Sequence, residues 1–280
     1  RTAGERRPSI TLIESPDGPN IGVGEGTWPS MRLTLQKIGR PEAELIRECG
    51  ASFKQGTQFV AWAENDESQR YVHPFSFPVE YSNLNLAGFW LDNRDKAAFA
   101  ELVTPQAHIV AAGLAPKQVT TPEYAFNVNY GYHFDAGRFA QLLHRHGVEK
   151  LDINFVSANV ASIDGEADGD ITGVRLDTGE TVNGDLFVDC TGQKALLIGE
   201  HYGVGFESVQ DVLFNNAAIA VQVPYGAPDT SIASMTTSTA TNAGWIWDIG
   251  LQERRGIGHV FSNAHTSVDD AMQTVRNYVQ

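Results

Sequence analysis

Apolar positions along this chain fall into two rhythms, and the change between them divides it. The first part alternates short apolar runs with helix-period segments. "PSITLIES" (8–15) is a nearly continuous apolar strand, the kind buried on both faces of a parallel sheet. "PNIGVGEGTWPSMRLTLQKIG" (19–39) reads as a glycine-rich loop entering a helix, with Pro29 in its first turn and Gly39 as its stop. "PEAELIRECG" (41–50) repeats that punctuation, and "DNRDKAAFAELV" (92–103) has helical spacing. "DAGRFAQLLHRHG" (135–147) predicts a helix with Asp135 as N-cap and Gly147 just past its end. From about 151 to 190 the pattern changes to alternating strands separated by DG, GD and TG turns, a β-meander closing on a buried strand in "DLFVDCTG". "AAIAVQV" and "GWIWDIG" read as further strands, and Ser267 with Asp270 opens a last helix. The fold expected is α/β, a doubly wound three-layer sheet carrying an inserted β-meander, with residues 1–280 as a single domain.

Composition narrows the function classes. At 42% hydrophobic residues the 280-residue chain can fill a core. No apolar run approaches the roughly 18 residues of a membrane span, so no membrane partner is expected. A net charge of −14, from 34 acidic and 20 basic residues, opposes a nucleic-acid surface. Cys49 and Cys190 lie far apart without a CxxC pair, which suggests a reducing, cytoplasmic setting. The eight histidines show no ligand spacing, so no metal is expected.

Candidate chemistry sits at three places. Glu14 ends the first strand as an acid that binds a ribose hydroxyl would, or as an ordinary strand-end carboxylate. The glycine turn belonging with it should lie about 20 residues earlier, outside these residues. The "GVGEG" loop, Gly22 to Gly26, permits close backbone approach. With "DLFVDCTG", these features point to an FAD-type cofactor. In "YVHPFSFP", His73 and the aromatics Phe75 and Phe77 form either a rigid cover or a clamp for a flat substrate. Trp245 and Trp247, two apart in a strand, share a face and serve as core or as a site wall. Lys54, in "GASFKQGTQFVAW", stands where the strand turns apolar, and lysine is rarely buried without a partner or a task.

Taken in order, "TLIESP", "IGVGEGTWP", "GASFKQGTQFVAW", "HPF", "YHFDAGRFAQLL", "DLFVDCTGQKALLI" and "GWIWDIGLQERRGIGHVFS" resemble the flavin-dependent tryptophan halogenases along the whole chain. The lysine of a GAFK-like turn and a W-x-W-x-I-P pattern carry the resemblance. It implies an enzyme that uses FADH2 from a separate flavin reductase, O2 and chloride or bromide to make hypohalous acid, which Lys54 relays to an indole or tryptophan-type substrate. It also implies that Glu14 and Ser15 lie near the adenosine and that Gly18, Gly24 and Gly26 belong to a strap touching flavin and substrate module. Val160 would contact the adenine, His73 and Phe75 would stack on the substrate, and Trp245 and Trp247 would lie near the flavin. A homodimer is compatible with it.

Departures from the family pattern are Gly250 in place of the proline, "HPFS" for HPFG, and "DCTGQKALL" for an arginine-bearing form. They widen the expected substrate to indoles. The resemblance places the phosphate-binding turn, the catalytic glutamate, the halide site and the C-terminal substrate-binding part outside residues 1–280. Two other readings stay open: an FAD-dependent aromatic monooxygenase, and a non-catalytic flavin-binding remnant.

Overall fold

The computed structural model describes residues 8–18, 25–63, 66, 69–227 and 229–280. In chain order the first elements are β1 (Thr11–Glu14), β2 (Glu25–Gly26), α1 (Ser30–Lys37), α2 (Glu42–Glu48), β3 (Ser52–Lys54), β4 (Gly56–Val60) and β5 (Arg70–Pro74). Next come α3 (Leu86–Leu91), α4 (Phe99–Val103), α5 (Pro105–Ala111), β6 (Gly131–Phe134), α6 (Ala136–Leu151), β7 (Asn154–Ser157), β8 (Val160–Gly165), β9 (Ile171–Leu176) and β10 (Thr181–Asn183). The last are β11 (Ala217–Pro224), β12 (Thr236–Thr241), β13 (Gly244–Gly250), β14 (Arg254–Phe261) and α7 (Val268–Val279). The chain divides into two compact units, one of Arg1–Asn20 and Leu143–Asp211, the other of Ile21–Leu142 and Val212–Gln280.

In the first unit β1 pairs in parallel with β7, and β8, β9 and β10 form an antiparallel meander. β7 lies within the stretch read as meander, yet its partner is β1, so the meander begins at Val160. Of the parallel sheet expected of a doubly wound fold, the described residues of this unit hold this one pair. β1 is not covered on both faces: Ile10 and Leu12 are exposed. The strand expected in "DLFVDCTG" is absent too, and Leu186 and Val188 are 84% and 77% exposed. Among the described residues no strand runs beside it. Asp189 instead turns its carboxylate to the amides of Thr191, Leu197 and Ile198, capping the wide helical turn at Leu196–His201.

The second unit holds a six-stranded sheet, β11-β14-β13-β12-β4-β5, and a three-stranded one, β2-β6-β3. All pairs are antiparallel except β12 with β4. Alternation gives the small sheet two characters. Phe53, Tyr132 and Phe134 face a core with Leu35, Leu45 and Leu142, while Lys54, His133 and Gly26 share the opposite face. α7 covers one face of the large sheet, its Ala271 carbonyl 3.3 Å from His259 Nδ1 and its Tyr278 hydroxyl donating to Asp248 at 3.2 Å.

α1 and α2 end where Gly39 and Gly50 take left-handed backbone, as their punctuation predicts. Of the helix expected over 92–103 only α4 forms, and residues 92–98 are turn and loop that follow α3. Asn93 donates to the Phe89 carbonyl at 2.8 Å and accepts from Lys96, so polar side chains compete with the helical ladder there. α6 begins as expected, with Asp135 accepting from the Arg138 amide at 3.0 Å, but runs through Gly147. Ile153 packs against that glycine, and Asp152 supplies the left-handed residue that ends the helix.

Candidate functional site

Lys54 ends β3, with Gly131 of β6 as its register partner. Its Nζ lies 5.6 Å from the centre of the Phe75 ring, and burial holds the amine below the usual lysine range. Gly26 forms the floor of this corner. A methyl group on it would stand 2.9 Å from Lys54 Nζ and 3.3 Å from His133 Cδ2, so a side chain there would displace the amine from its present seat. His133 is fully buried, with Nε2 2.9 Å from Thr236 Oγ1 on β12. Its burial, with the lysine charge second, lowers the imidazole to about 3, so the ring is neutral.

The Phe75 ring is fixed through its backbone. Its amide donates to the Gln55 carbonyl at 3.0 Å, and its carbonyl accepts from Asn129 Nδ2 at 3.1 Å. Buried amides hold those two in turn. Gln55 donates to Leu114 O at 2.8 Å and Ser234 Oγ at 2.9 Å, while Gln106 accepts from the Ser76 amide and donates to Asn129 O at 2.6 Å. Arg32 donates to Asn129 Oδ1 from α1. Trp28 tilts onto Phe75 with ring centres 5.4 Å apart and is 66% exposed, which gives the corner an aromatic, open side.

Strand register relates the tryptophan pair to this corner. Trp247 stands opposite Ser238 and Trp245 opposite Ala240, so both share the face of β12 on which Thr236 meets His133. The two rings are 6.2 Å apart. Trp247 lies across Gly258 of β14, where an added methyl would fall 1.9 Å from its ring. Its indole nitrogen is buried and meets no hydrogen-bond partner among the described residues.

In the first unit, β1 ends in exposed Glu14 beside Ser157 of the parallel β7. The Ser15 hydroxyl donates to Asn159 Oδ1 at 2.6 Å, and Asn159 Nδ2 donates to Asp17 at 2.8 Å and Asp177 at 3.0 Å. Val160 follows directly, packed on the small core of Ala158, Val174 and Leu176. Polar groups therefore gather at the carboxyl ends of a parallel strand pair, where open α/β sheets bind nucleotides.

A family model for tryptophan halogenase matches residues 1–280. The chain belongs to the tryptophan halogenase family. Curated relatives include tryptophan 7-halogenase RebH of Lentzea aerocolonigenes, 32% identical over 94% of this chain and 52% of the relative. A crystal structure of tryptophan halogenase from Shewanella frigidimarina is similar at TM-score 0.92 and 48% identity, covering 97% of this chain and 52% of that one. Tryptophan 6-halogenase SttH of Streptomyces toxytricini is similar at TM-score 0.89 and 31% identity, over 97% of this chain and 54% of that structure. The chain spans about half the length of the curated relatives it matches.

Within this tryptophan halogenase family chain, the structure brings together Lys54, Gly26 and Phe75, and sets Trp245 and Trp247 on the same side of the large sheet. Glu14, Ser15 and Val160 meet in the first unit. His73 stands exposed on β5, the outer strand of the six-stranded sheet. Among the described residues, none comes close to where a side chain on Gly18 would sit. Gly24 lies outside the described residues. Sequence reading missed His133, Trp28, Gln55, Gln106 and Asn129. Only "YHFD" offered a signal, since His133 alternates with apolar neighbours in a strand.

Proposed function

We propose that this chain is the flavin-dependent part of a halogenase that places chlorine or bromine on an indole or tryptophan-type ring, with Lys54 as the residue that receives and delivers the halogen. FAD, supplied reduced by a separate reductase, would furnish hypohalous acid from O2 and halide. The observation that carries the reading is the Lys54 amine, half-buried beside Gly26 and His133 with Phe75 facing it. An amine below its usual range keeps a larger unprotonated fraction and is a nucleophile. It forms an N–X bond as the O–X bond of hypohalous acid breaks, and its released proton joins hydroxide as water. The indole carbon then takes the halogen, the N–X pair returns to the amine, and the ring loses its proton. Burial keeps the oxidant from bulk water. Phe75 offers a face for a flat ring, with His73 expected to complete the pair. Trp245 and Trp247 would wall the substrate from the flavin.

In the first unit, the Glu14 carboxylate and Ser15 would accept and donate to the adenosine ribose, and Val160 would contact the adenine. Gly18, Gly24 and Gly26 would form the strap. The test is Lys54→Met in the whole enzyme, supplied with reductase, halide and indole. Flavin binding and oxygen consumption are expected to persist while halogenated product falls below detection and free hypohalite or peroxide appears. Substantial halogenation by that variant would overturn the role of Lys54.

A further inference from the structure

The proposed chemistry uses the lysine and gives no role to the histidine beside it. His133 is nevertheless an unusual core residue. It is fully buried, its Nε2 is committed to Thr236 at 2.9 Å, and its Nδ1 meets no hydrogen-bond partner among the described residues. A buried polar nitrogen left unpaired destabilises a fold, and an apolar ring of similar size would avoid that loss. Packing alone therefore does not account for a histidine here. Its Cδ2 edge and Lys54 Nζ both border the space a methyl on Gly26 would take, so ring, amine and glycine share one corner.

We propose that His133 positions the Lys54 amine: pinned through Thr236, its ring closes the corner at Gly26 against water and holds Nζ toward Phe75. The inference rests on the reading of Lys54 as the reactive amine. Thr236 belongs to β12 of the large sheet, whereas Lys54 and His133 lie on adjacent strands of the small one. The hydrogen bond thus ties the amine's wall to a second, independent sheet. Being neutral, the ring brings volume and a fixed edge without a repelling charge. Other ionisable side chains on these strands are Glu25 on β2, Tyr132 on β6, and Arg70, Tyr71 and His73 on β5. The cause of the lowered lysine is burial. Removing the ring volume should therefore admit water and restore the ammonium form.

Acetylation of Lys54 by N-hydroxysuccinimidyl acetate, followed by peptide mass spectrometry as a function of pH, reads the amine directly and needs no turnover. Exposed Lys37 serves as the internal reference. In the wild-type chain the Lys54 midpoint should lie below that of Lys37. His133→Ala should raise it by about one pH unit, roughly a tenfold loss of unprotonated amine at fixed pH. His133→Phe keeps the ring volume but loses the tether to Thr236, and should raise the midpoint by less than alanine does. Circular dichroism checks the fold, and His133→Asn, with the same direction expected, replaces the alanine variant if that one does not fold. A folded His133→Ala or His133→Asn protein with the wild-type midpoint would overturn the proposal, as would His133→Phe shifting as far as alanine. A wild-type Lys54 midpoint equal to that of Lys37 would instead remove the reading of Lys54 itself.

Discussion

Gly258 shows how one residue on a neighbouring strand decides where a functional side chain lies. The Trp247 ring rests across it, and an added methyl would fall 1.9 Å and 2.0 Å from two ring carbons. No rotamer adjustment of a methyl is available, so the indole must move or the strands must part. Gly258→Ala should destabilise the chain by about 1–3 kcal/mol, the range for overpacking a filled site. It should also shift tryptophan fluorescence as the ring is displaced. In a background with Trp247→Ala the same substitution should cost much less, which makes the coupling a signature of this contact. Urea unfolding of the four proteins measures it. A Gly258→Ala protein with wild-type stability and emission would show that the contact does not constrain Trp247. The shared face of Trp245 and Trp247 was legible from their spacing. The need for glycine at 258 was not, because it depends on cross-strand register.

At the level of elements, the small sheet is held from behind by a buried carboxylate. Glu42, in the first turn of α2, accepts from Lys117 at 2.7 Å, Tyr132 at 2.8 Å and the Tyr124 amide at 2.9 Å, and also from Tyr130. Burial alone would raise this carboxyl, but Lys117 and the hydroxyl and amide donors outweigh it and hold it below its usual 4.5. Its contribution to stability is therefore complete above pH 4.5 and lost as pH falls through the lower folded value. His133 acts earlier. Its ring falls from 6.5 to about 3 on folding, so the unfolded chain binds a proton that the folded one refuses. Stability should decline below pH 6.5 by up to about 1.4 kcal/mol per unit from this group. His259, lowered by burial, adds loss of the same sign.

Urea unfolding across this range should show a flatter slope between pH 6.5 and 4.5 in His133→Asn, and in Glu42→Gln a flatter slope only below 4.5. Glu42→Ala, which strands Lys117, should cost about 3–5 kcal/mol at neutral pH. Slopes unchanged in both His133→Asn and Glu42→Gln would contradict the assignment. Much of this architecture was readable beforehand where proline and glycine mark the ends, as in α1 and α2. It was unreadable where side chains rewrite the backbone, as with Asn93 inside an apparent helix, Asp152 ending α6, and Asp189 capping a turn in place of a strand. The buried amides Gln55 and Gln106 look like surface residues in sequence, because only their partners far along the chain make burial tolerable.

For the molecule as a whole, the two units differ in how much apolar surface each removes from water. The second encloses Leu35, Leu45, Tyr130, Tyr132, Phe134 and Leu142, and its large sheet adds Ile246, Ile249, Ile257 and Phe261. In the first unit, Ala158, Val174 and Leu176 form the corresponding cluster, bordered by half-buried neighbours such as Ile13, Val156 and Phe187. Burial stabilises by roughly 25 cal/mol per Å2, so a core of small and few side chains leaves little margin over chain entropy. Local opening then need not await global unfolding. Amides of β9 in the first unit should exchange with deuterium at least tenfold faster than those of β13 and β14, at a pH where the fold is intact. Thermal unfolding should show two steps, with the meander lost in the earlier one. Cys190, exposed in the first unit, and Cys49, buried in the second, give a second measure without mutation. Thiol labelling of Cys49 should track the later step. Uniform exchange across both units with a single melting transition would mean that the chain unfolds as one cooperative body, and that the smaller core draws its stability from more than its own side chains.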